Sequence, residues 1–262
     1  MQAAQFPHEM FNRWKPCRHG TILYNVNHIY IGRSLDLYGE YSEGEAALFQ
    51  SILRSGDVVV EAGANIGAHT VVLSRAVGNN GLVMAFEPQR LIFQSLCANA
   101  ALNSLANIYC FEIALSAQPG TIEIPVLDPY QANNFGGLAL EEGPRNAAIA
   151  VTTIDALGIS NCRFIKIDVE GMEMQVLKGA ADTIARCRPA LYVECDRPER
   201  STALLEYMKS RDYLSHIHCP PLFNAPDFFQ NPVNVFGDVV SKNLLCLHRN
   251  DTLAVQNLPR VA

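Results

Sequence analysis

The 262-residue sequence has no run of basic residues, no apolar stretch approaching a membrane span and no closely spaced pair of cysteines. Each absence removes a class of function. Nucleic-acid binding rests on clustered Lys and Arg, whereas here 20 basic residues face 26 acidic ones, for a formal charge of −6. A membrane span needs about 20 consecutive apolar residues, and the N-terminal "MQAAQFPHEMFNRWKP" also lacks the apolar core of a signal peptide. A soluble, cytoplasmic protein is therefore expected, with neither nucleic acid nor membrane among its partners. The eight cysteines, at positions 17, 97, 110, 162, 187, 195, 219 and 246, form neither a CxxC pair nor a short Cys/His cluster. Reduced core thiols are expected, not a disulfide framework or a structural metal. Internal repeats and low-complexity segments are missing as well.

What is present is alternation. "DVVVEA" reads as a β-branched strand ending at a Gly-rich turn, and "AHTVVLSRAV" has helical apolar spacing stopped by "GNNG". "LVMAFEP" and "LIFQSLCANAALNS" repeat the pair, and "IYCFEIAL" is the third strand. The following "PVLDPYQANNFGGLALEEGPRN" is too rich in Pro, Gly and Asn to be an element. "RFIKIDVEG" is then a strand, "MEMQVLKGAADTIA" one helix, "PALYVECD" a strand and "ERSTALLEYMKSRD" a helix. "YLSHIHC" and "NLLCLHR" are the final strands, around a long aromatic loop. Alternation of this kind predicts an α/β, Rossmann-like, doubly wound and mostly parallel sheet. One main domain over residues 56–250 is expected, with residues 1–55 as an extension packing on it and residues 251–262 as a tail. Within the extension, "YNVNHIYIGRSLDLYGEYSEGE" reads as strand, loop and helix start. Ligands of such sheets bind beyond the carboxyl ends of the strands, which directs attention to Glu61, Glu87, Asp168 and Glu194.

In "VVVEAGANIGAHT", Val58 to Thr70, an acid stands where a dinucleotide-binding turn has its first glycine. A carboxylate beside a pyrophosphate is repelled in a partly desolvated site, which disfavours a nicotinamide oxidoreductase. S-adenosylmethionine carries an ammonium and a sulfonium and no phosphate, so Glu61 attracts it while the glycines let backbone approach. Glu87, an acid ending the next strand, is placed to accept hydrogen bonds from ribose hydroxyls.

These residues resemble the FkbM family of class I S-adenosylmethionine-dependent methyltransferases. "GDVVVEAGANIGAHTVVLSRAVG", "AFEPQ", "IALS" and "FIKIDVEGMEMQVLKGA" match its motifs in order, with "LYGEYSEGE" and "NNFGG" in its style, over about Leu37 to Glu194. The resemblance implies a seven-stranded methyltransferase sheet with an antiparallel last strand, assigned to "NLLCLHR", and S-adenosyl-L-methionine as cofactor. It sets the methionine moiety against Glu61, Gly63, Asn65 and Gly67, the ribose on Glu87 and the adenine near Glu112 and Ala114. Ala64, His69, Thr70 and Pro88 complete the expected cofactor residues, with Tyr38 and Glu43 closing over it from the extension. Asp168 would sit next to the methyl group. "CRHGTILYN" and "FNAPDFFQNPVNVFGDVVSKN" match no general family motif and are assigned to a substrate-specific part.

Methyl transfer to a hydroxyl requires alignment of the acceptor and removal of its proton. Asp168 is the first candidate base, His218 the second and Glu194 a third; the alternative for Asp168 is that it only binds the cofactor amino group or orients the acceptor. Glu170 is read as supporting the helix that begins at Gly171. Lys166, on the opposite strand face from Ile165 and Ile167, is read as solvated or ion-paired. His216 and His218 share a strand face and, with Asp168 and Glu194, would suit a divalent ion. The plainer reading, hydrogen-bonded or surface imidazoles, is preferred, and no metal is assigned. Phe223, Phe228, Phe229, Phe236, Asn224, Asn231 and Asn234 suit a sugar-like ligand, or else the rings pin a long loop. Arg18, His19 and Arg33 are candidates for recognising an acidic group. Family resemblance implies O-methylation of a sugar, glycan or secondary metabolite. N-methylation of a peptide side-chain amide and a non-catalytic, cofactor-binding regulator are the alternatives.

Overall fold

The structure, a computed structural model, describes residues 10–137, 146–253 and 258–261. A hairpin of β1 (Asn12–Cys17) and β2 (Gly20–Asn25) leads into α1 (Ile31–Tyr38) and α2 (Glu43–Ile52). The alternating region follows as β3 (Val58–Ala62), α3 (Ala68–Val77), β4 (Leu82–Phe86), α4 (Arg90–Leu102) and β5 (Ile108–Phe111). Three further strands are β6 (Ala114–Leu115), β7 (Gly120–Pro125) and β8 (Asn146–Thr152). Next come β9 (Phe164–Ile167), α5 (Glu173–Lys178), α6 (Ala181–Cys187), β10 (Ala190–Glu194), α7 (Pro198–Ser210), β11 (Tyr213–His218) and β12 (Asn243–His248).

Seven strands form one sheet in the order β11-β12-β10-β9-β3-β4-β5. Along β10-β9-β3-β4-β5 every pairing is parallel, and β12 runs antiparallel to both β10 and β11. The expected doubly wound α/β sheet is thus present, with "NLLCLH" as its antiparallel last strand. Helices cover both faces, so the central strands are Val- and Ile-rich and buried throughout. On one face Val60, Ile165, Ile167 and Leu191 pack against α5, α6 and α7. On the other, Val59, Phe164 and Tyr192 pack against Phe49 of α2 and Leu73 of α3. Side-chain alternation along each strand places Glu61 and Lys166 on this second face, with Phe164 and Tyr192.

The hairpin is strapped to α4. Asn99 donates to the carbonyls of Leu23 and Ile66 and accepts the Leu23 N–H, and Asn103 makes the corresponding pair with Thr21. At the other edge, Ile217 donates to Pro259 and Val261 to Ser215, which extends β11. Among the described residues no helix is long and apolar enough to cross a membrane.

Two expected elements are divided. "IYCFEIAL" breaks after Phe111, because Ala114–Leu115 leaves the large sheet to pair with β8, while β7 and β8 form an antiparallel hairpin. The three make a separate small sheet, and part of the irregular stretch between β7 and β8 lies outside the described residues. "MEMQVLKGAADTIA" is two helices. At Gly179 the chain passes so close to the Ser116 carbonyl that a Cβ would stand 2.0 Å from it. The Asp155 carboxylate then accepts the N–H groups of Asp182 and Thr183, opening α6.

Candidate active site

The site begins at the end of β3. Beyond Ala62 the backbone enters left-handed conformations at Gly63 (φ 78°) and Asn65 (φ 50°) before α3 starts. A Cβ at position 63 would stand 1.8 Å from the carbonyl oxygen of Asp168, so only glycine lets this turn meet the end of β9.

Glu61, just before the turn, is 0 % exposed. Thr70 donates a 2.6 Å hydrogen bond to its Oε2, and Oε1 has no partner. Burial pushes this carboxyl up to about 7, against the opposing pull of the Lys166 ammonium and the Thr70 bond. Glu87, ending the adjacent strand, is also buried and pushed up to about 7 by that burial. Its two oxygens accept the N–H groups of Asn65 (3.0 Å) and Gln89 (2.8 Å), which ties the glycine turn to the second strand.

Lys166 on β9 is the residue whose setting sequence reasoning missed. It is ion-paired, as one of the two readings held, but it is 3 % exposed and not solvated. Its Nζ lies 2.9 Å from Oδ2 of Asp168, whose side chain is 39 % exposed. Burial by itself would lower the Lys166 pKa, yet the carboxylates of Asp168, Glu61 and Glu45 hold it above its ordinary value.

Glu61, Gly63, Ala64, Asn65, His69 and Glu87 line one side of a cavity of about 230 Å³. Lys166, Asp168, Glu170 and Glu194 line it as well. A smaller cavity shares Gly63, Glu87 and Asp168 with it and runs past Pro88 to Ala114. Glu170, left-handed at φ 53°, and Glu194 each bring an oxygen within 4.8 Å of one another and of Asp168. Burial, then the neighbouring acids, push Glu170 up to about 7 and Glu194 up to about 10, and Oε2 of Glu194 has no partner. Burial, with Lys166 adding to it, pushes His69 down to about 3, so its imidazole is neutral.

Several sequence candidates lie elsewhere. Tyr38 packs on Phe223 and Phe236, with its hydroxyl between Val233 and Val235. Glu43 faces His19 at 2.7 Å. From "YSEGE", Tyr41 lines the cavity beside the His69 ring, and Glu45 accepts from Tyr192 and Asn243. Glu112 lines a different hollow, beyond Gln89. Gly67 and Thr70 line neither cavity, although Thr70 acts through Glu61. His218 bonds through Nδ1 to the Tyr192 hydroxyl at 2.8 Å, and neither it nor His216 belongs to the three-acid group. Arg18 is engaged by Glu40 at 2.6 Å, so it and His19 already have acidic partners. In the long loop, Phe223 and Phe236 pin the chain against Tyr38, and the part lining the cavity is Leu222 and Val239 to Lys242.

The residues fit S-adenosylmethionine. A fully buried carboxylate oxygen without a partner suits an ammonium, and Glu87 keeps lone pairs for hydroxyls. This strand order, with its antiparallel last strand and an acid at the first turn, defines the class I S-adenosylmethionine-dependent methyltransferase architecture. Residues 61–215, more than half the chain, match the methyltransferase FkbM domain, and the chain belongs to that family. It is 28% identical over 155 residues to the hexuronic acid methyltransferase AglP of Haloferax volcanii, covering 59% of this chain and 62% of that one. It is 26% identical over 160 residues to methyltransferase sdnD of Sordaria araneosa, covering 48% and 61%. The chain thus spans about three fifths of the length of these curated relatives. The crystal structure of methyltransferase FkbM from Methylobacillus flagellatus aligns with a TM-score of 0.49 at 21% identity, covering 78% of this chain and 50% of that one.

Proposed function

We propose that this protein transfers a methyl group from S-adenosylmethionine to a hydroxyl of a sugar, glycan or related polyhydroxylated metabolite. The observation that carries the reading is the buried, half-satisfied carboxylate of Glu61 at the glycine turn, with Glu87 on the next strand. The cofactor supplies an electrophilic methyl on a sulfonium, a leaving group that needs no acid. What remains for the protein is to hold the acceptor in line and take its proton. Oδ2 of Asp168 is held by Lys166, which leaves Oδ1 to receive that proton. The crowded acids at Asp168, Glu170 and Glu194 already disfavour one another's charge, so an uncharged hydroxyl fits better here than a further carboxylate. The hexuronic acid relative supports an acceptor of the sugar class.

The test is transfer from methyl-labelled S-adenosylmethionine to a panel of saccharides, hydroxylated small molecules and peptides. Label in saccharide or metabolite products that survives mild alkali, as an ether does and an ester does not, is the expected result. Label confined to peptides, or wholly alkali-labile, overturns the reading.

A further inference from the structure

We propose that Lys166 is a positioning residue of the methyl-donor site, whose buried ammonium keeps Glu61 charged for the ligand and fixes the direction of the Asp168 carboxylate. The inference rests on the function proposed above and concerns a side chain that does not react. Sheet register supplies the first argument. Glu61 on β3, Lys166 on β9 and Tyr192 on β10 are direct partners across three adjacent strands. All three therefore point to the same face, the one covered by α2 and α3.

The second argument is the set of groups around the ammonium. From just past the end of its own strand comes Asp168 at 2.9 Å, from β3 Glu61, and from α2 Glu45. From α3 comes the neutral His69, whose Nε2 lies 3.7 Å from Glu45. Tyr192 donates to Glu45 at 3.0 Å, and Asn243 of β12 at 2.9 Å, so Glu45 is held on the sheet side of its helix. Tyr41 lines the same cavity. A buried ammonium is costly unless carboxylates compensate it, and the converse holds for the carboxylates. Lys166 acts on both Glu61, at the donor turn, and the partly exposed Asp168.

Removing the ammonium while leaving the acids thus favours protonation of Glu61, and a neutral Glu61 no longer attracts an ammonium ligand. The measurement is calorimetric titration with S-adenosylhomocysteine, from about pH 5.5 to 8.5, on wild type, Lys166→Met and Asp168→Asn. In the wild type, affinity should fall on the acid side as Glu61, pushed up to about 7 by its burial, takes a proton. In Lys166→Met the fall should begin at higher pH, with affinity at pH 7 at least about tenfold weaker than wild type and partly recovered at the alkaline end. Asp168→Asn should shift the fall the other way, to lower pH, because it removes a repelling charge and frees Lys166 for Glu61. This variant carries the test if Lys166→Met does not fold, since Asp168 is partly exposed and its amide replacement keeps an acceptor for Lys166. Coincident acid limbs in wild type and Asp168→Asn overturn the proposal while leaving the donor site in place. A wild type that does not bind S-adenosylhomocysteine at any pH brings down the functional reading, and this inference with it.

Discussion

The hydroxyl of Thr70 donates a 2.6 Å hydrogen bond to Oε2 of Glu61, and the other oxygen of that fully buried carboxylate has no partner. One oxygen is committed to fixing the side chain, and the other is buried with no hydrogen bond of its own, where an unpaired polar atom is costly. An incoming ammonium would give that oxygen the partner it lacks. Thr70 and Glu61 sit nine residues apart at opposite ends of one turn, so the strand, the turn and the first turn of α3 act together.

Glu61→Gln should bind S-adenosylhomocysteine at least about tenfold more weakly than wild type, since a charge-assisted hydrogen bond contributes about 1.5–3 kcal/mol. The amide keeps an acceptor for Thr70, and Lys166 keeps Asp168 and Glu45 as carboxylate partners, so the unliganded variant should melt close to wild type. Calorimetry and a thermal scan together check this. A variant that loses both affinity and stability would show that Glu61 is a structural residue.

The same variant reports on pH. A carboxyl whose folded value is about 7, against an ordinary 4.5, holds its proton more tightly when folded. Its contribution to stability is therefore complete below the ordinary value and is lost as pH rises towards about 7. Unliganded wild type should lose stability relative to Glu61→Gln across that window, by at most about 1.4 kcal/mol per pH unit, and the difference should level off above it. Parallel denaturation curves at about pH 5, 6, 7 and 8 give the answer.

Glu87→Ala should weaken both ligand binding and the fold. Two backbone N–H groups, of Asn65 and Gln89, lose their acceptor, and leaving such groups unpaired costs about 1–3 kcal/mol each when they stay buried. Glu87→Gln, which can still accept one of them, should fall between. Urea denaturation midpoints rank the three proteins, and the expected order is wild type, Gln, Ala.

Gly63→Ala should be among the most damaging single-methyl additions in the chain. The new carbon would stand 1.8 Å from the Asp168 carbonyl, in a backbone conformation that already disfavours a side chain. Gly158 has a similar positive φ but nothing within 4 Å, so Gly158→Ala isolates the conformational cost of about 1–2 kcal/mol. The expected result is a small loss of melting temperature at 158 and a large one, with loss of ligand binding, at 63.

The strand and turn that hold Glu61 and Glu87 were legible because β-branched runs, Gly-rich turns and strand-end acids are local signals. Period-two alternation also separated Lys166 correctly from Ile165 and Ile167. What alternation does not reveal is whether a face meets water or a helix. Phe49 and Glu45 of α2, far away in sequence, cover that face and turn a surface lysine into a buried one. Tyr38 and Glu43 do not line the cavity, whereas Tyr41 does and Glu45 acts on Lys166, for a related reason. Which acid of "YSEGE" points inward depends on where α2 starts, and it starts at Glu43, which leaves that residue facing His19. His218 stood out as a titratable strand-end residue, but β12 lies between its strand and β10, and it pairs with Tyr192, not with the three acids.

Glu40 gives a separate handle on the loop that borders the cavity. This buried carboxylate accepts from Arg18 of the N-terminal segment, from the Asn224 side chain at 3.0 Å and from the Phe228 N–H at 2.8 Å. It joins the region after β2 to a segment whose later residues, Val239 to Lys242, line the cavity. Glu40→Ala leaves a partly exposed guanidinium, an amide and a backbone N–H without their acceptor, which should cost about 1–3 kcal/mol after allowance for the solvent access of Arg18. Glu40 lines neither donor cavity, so affinity for S-adenosylhomocysteine should stay within about twofold of wild type. Proteolysis within residues 224–233, where Phe228, Phe229 and Val233 are exposed, should speed up at the same time. An unchanged cleavage pattern would mean that the Tyr38, Phe223 and Phe236 cluster and the bonds of Phe229 and Asn231 to the carbonyls of Tyr38 and Leu37 hold the loop without Glu40. Weakened binding without faster cleavage would place Glu40 in the donor site, contrary to its position in the fold.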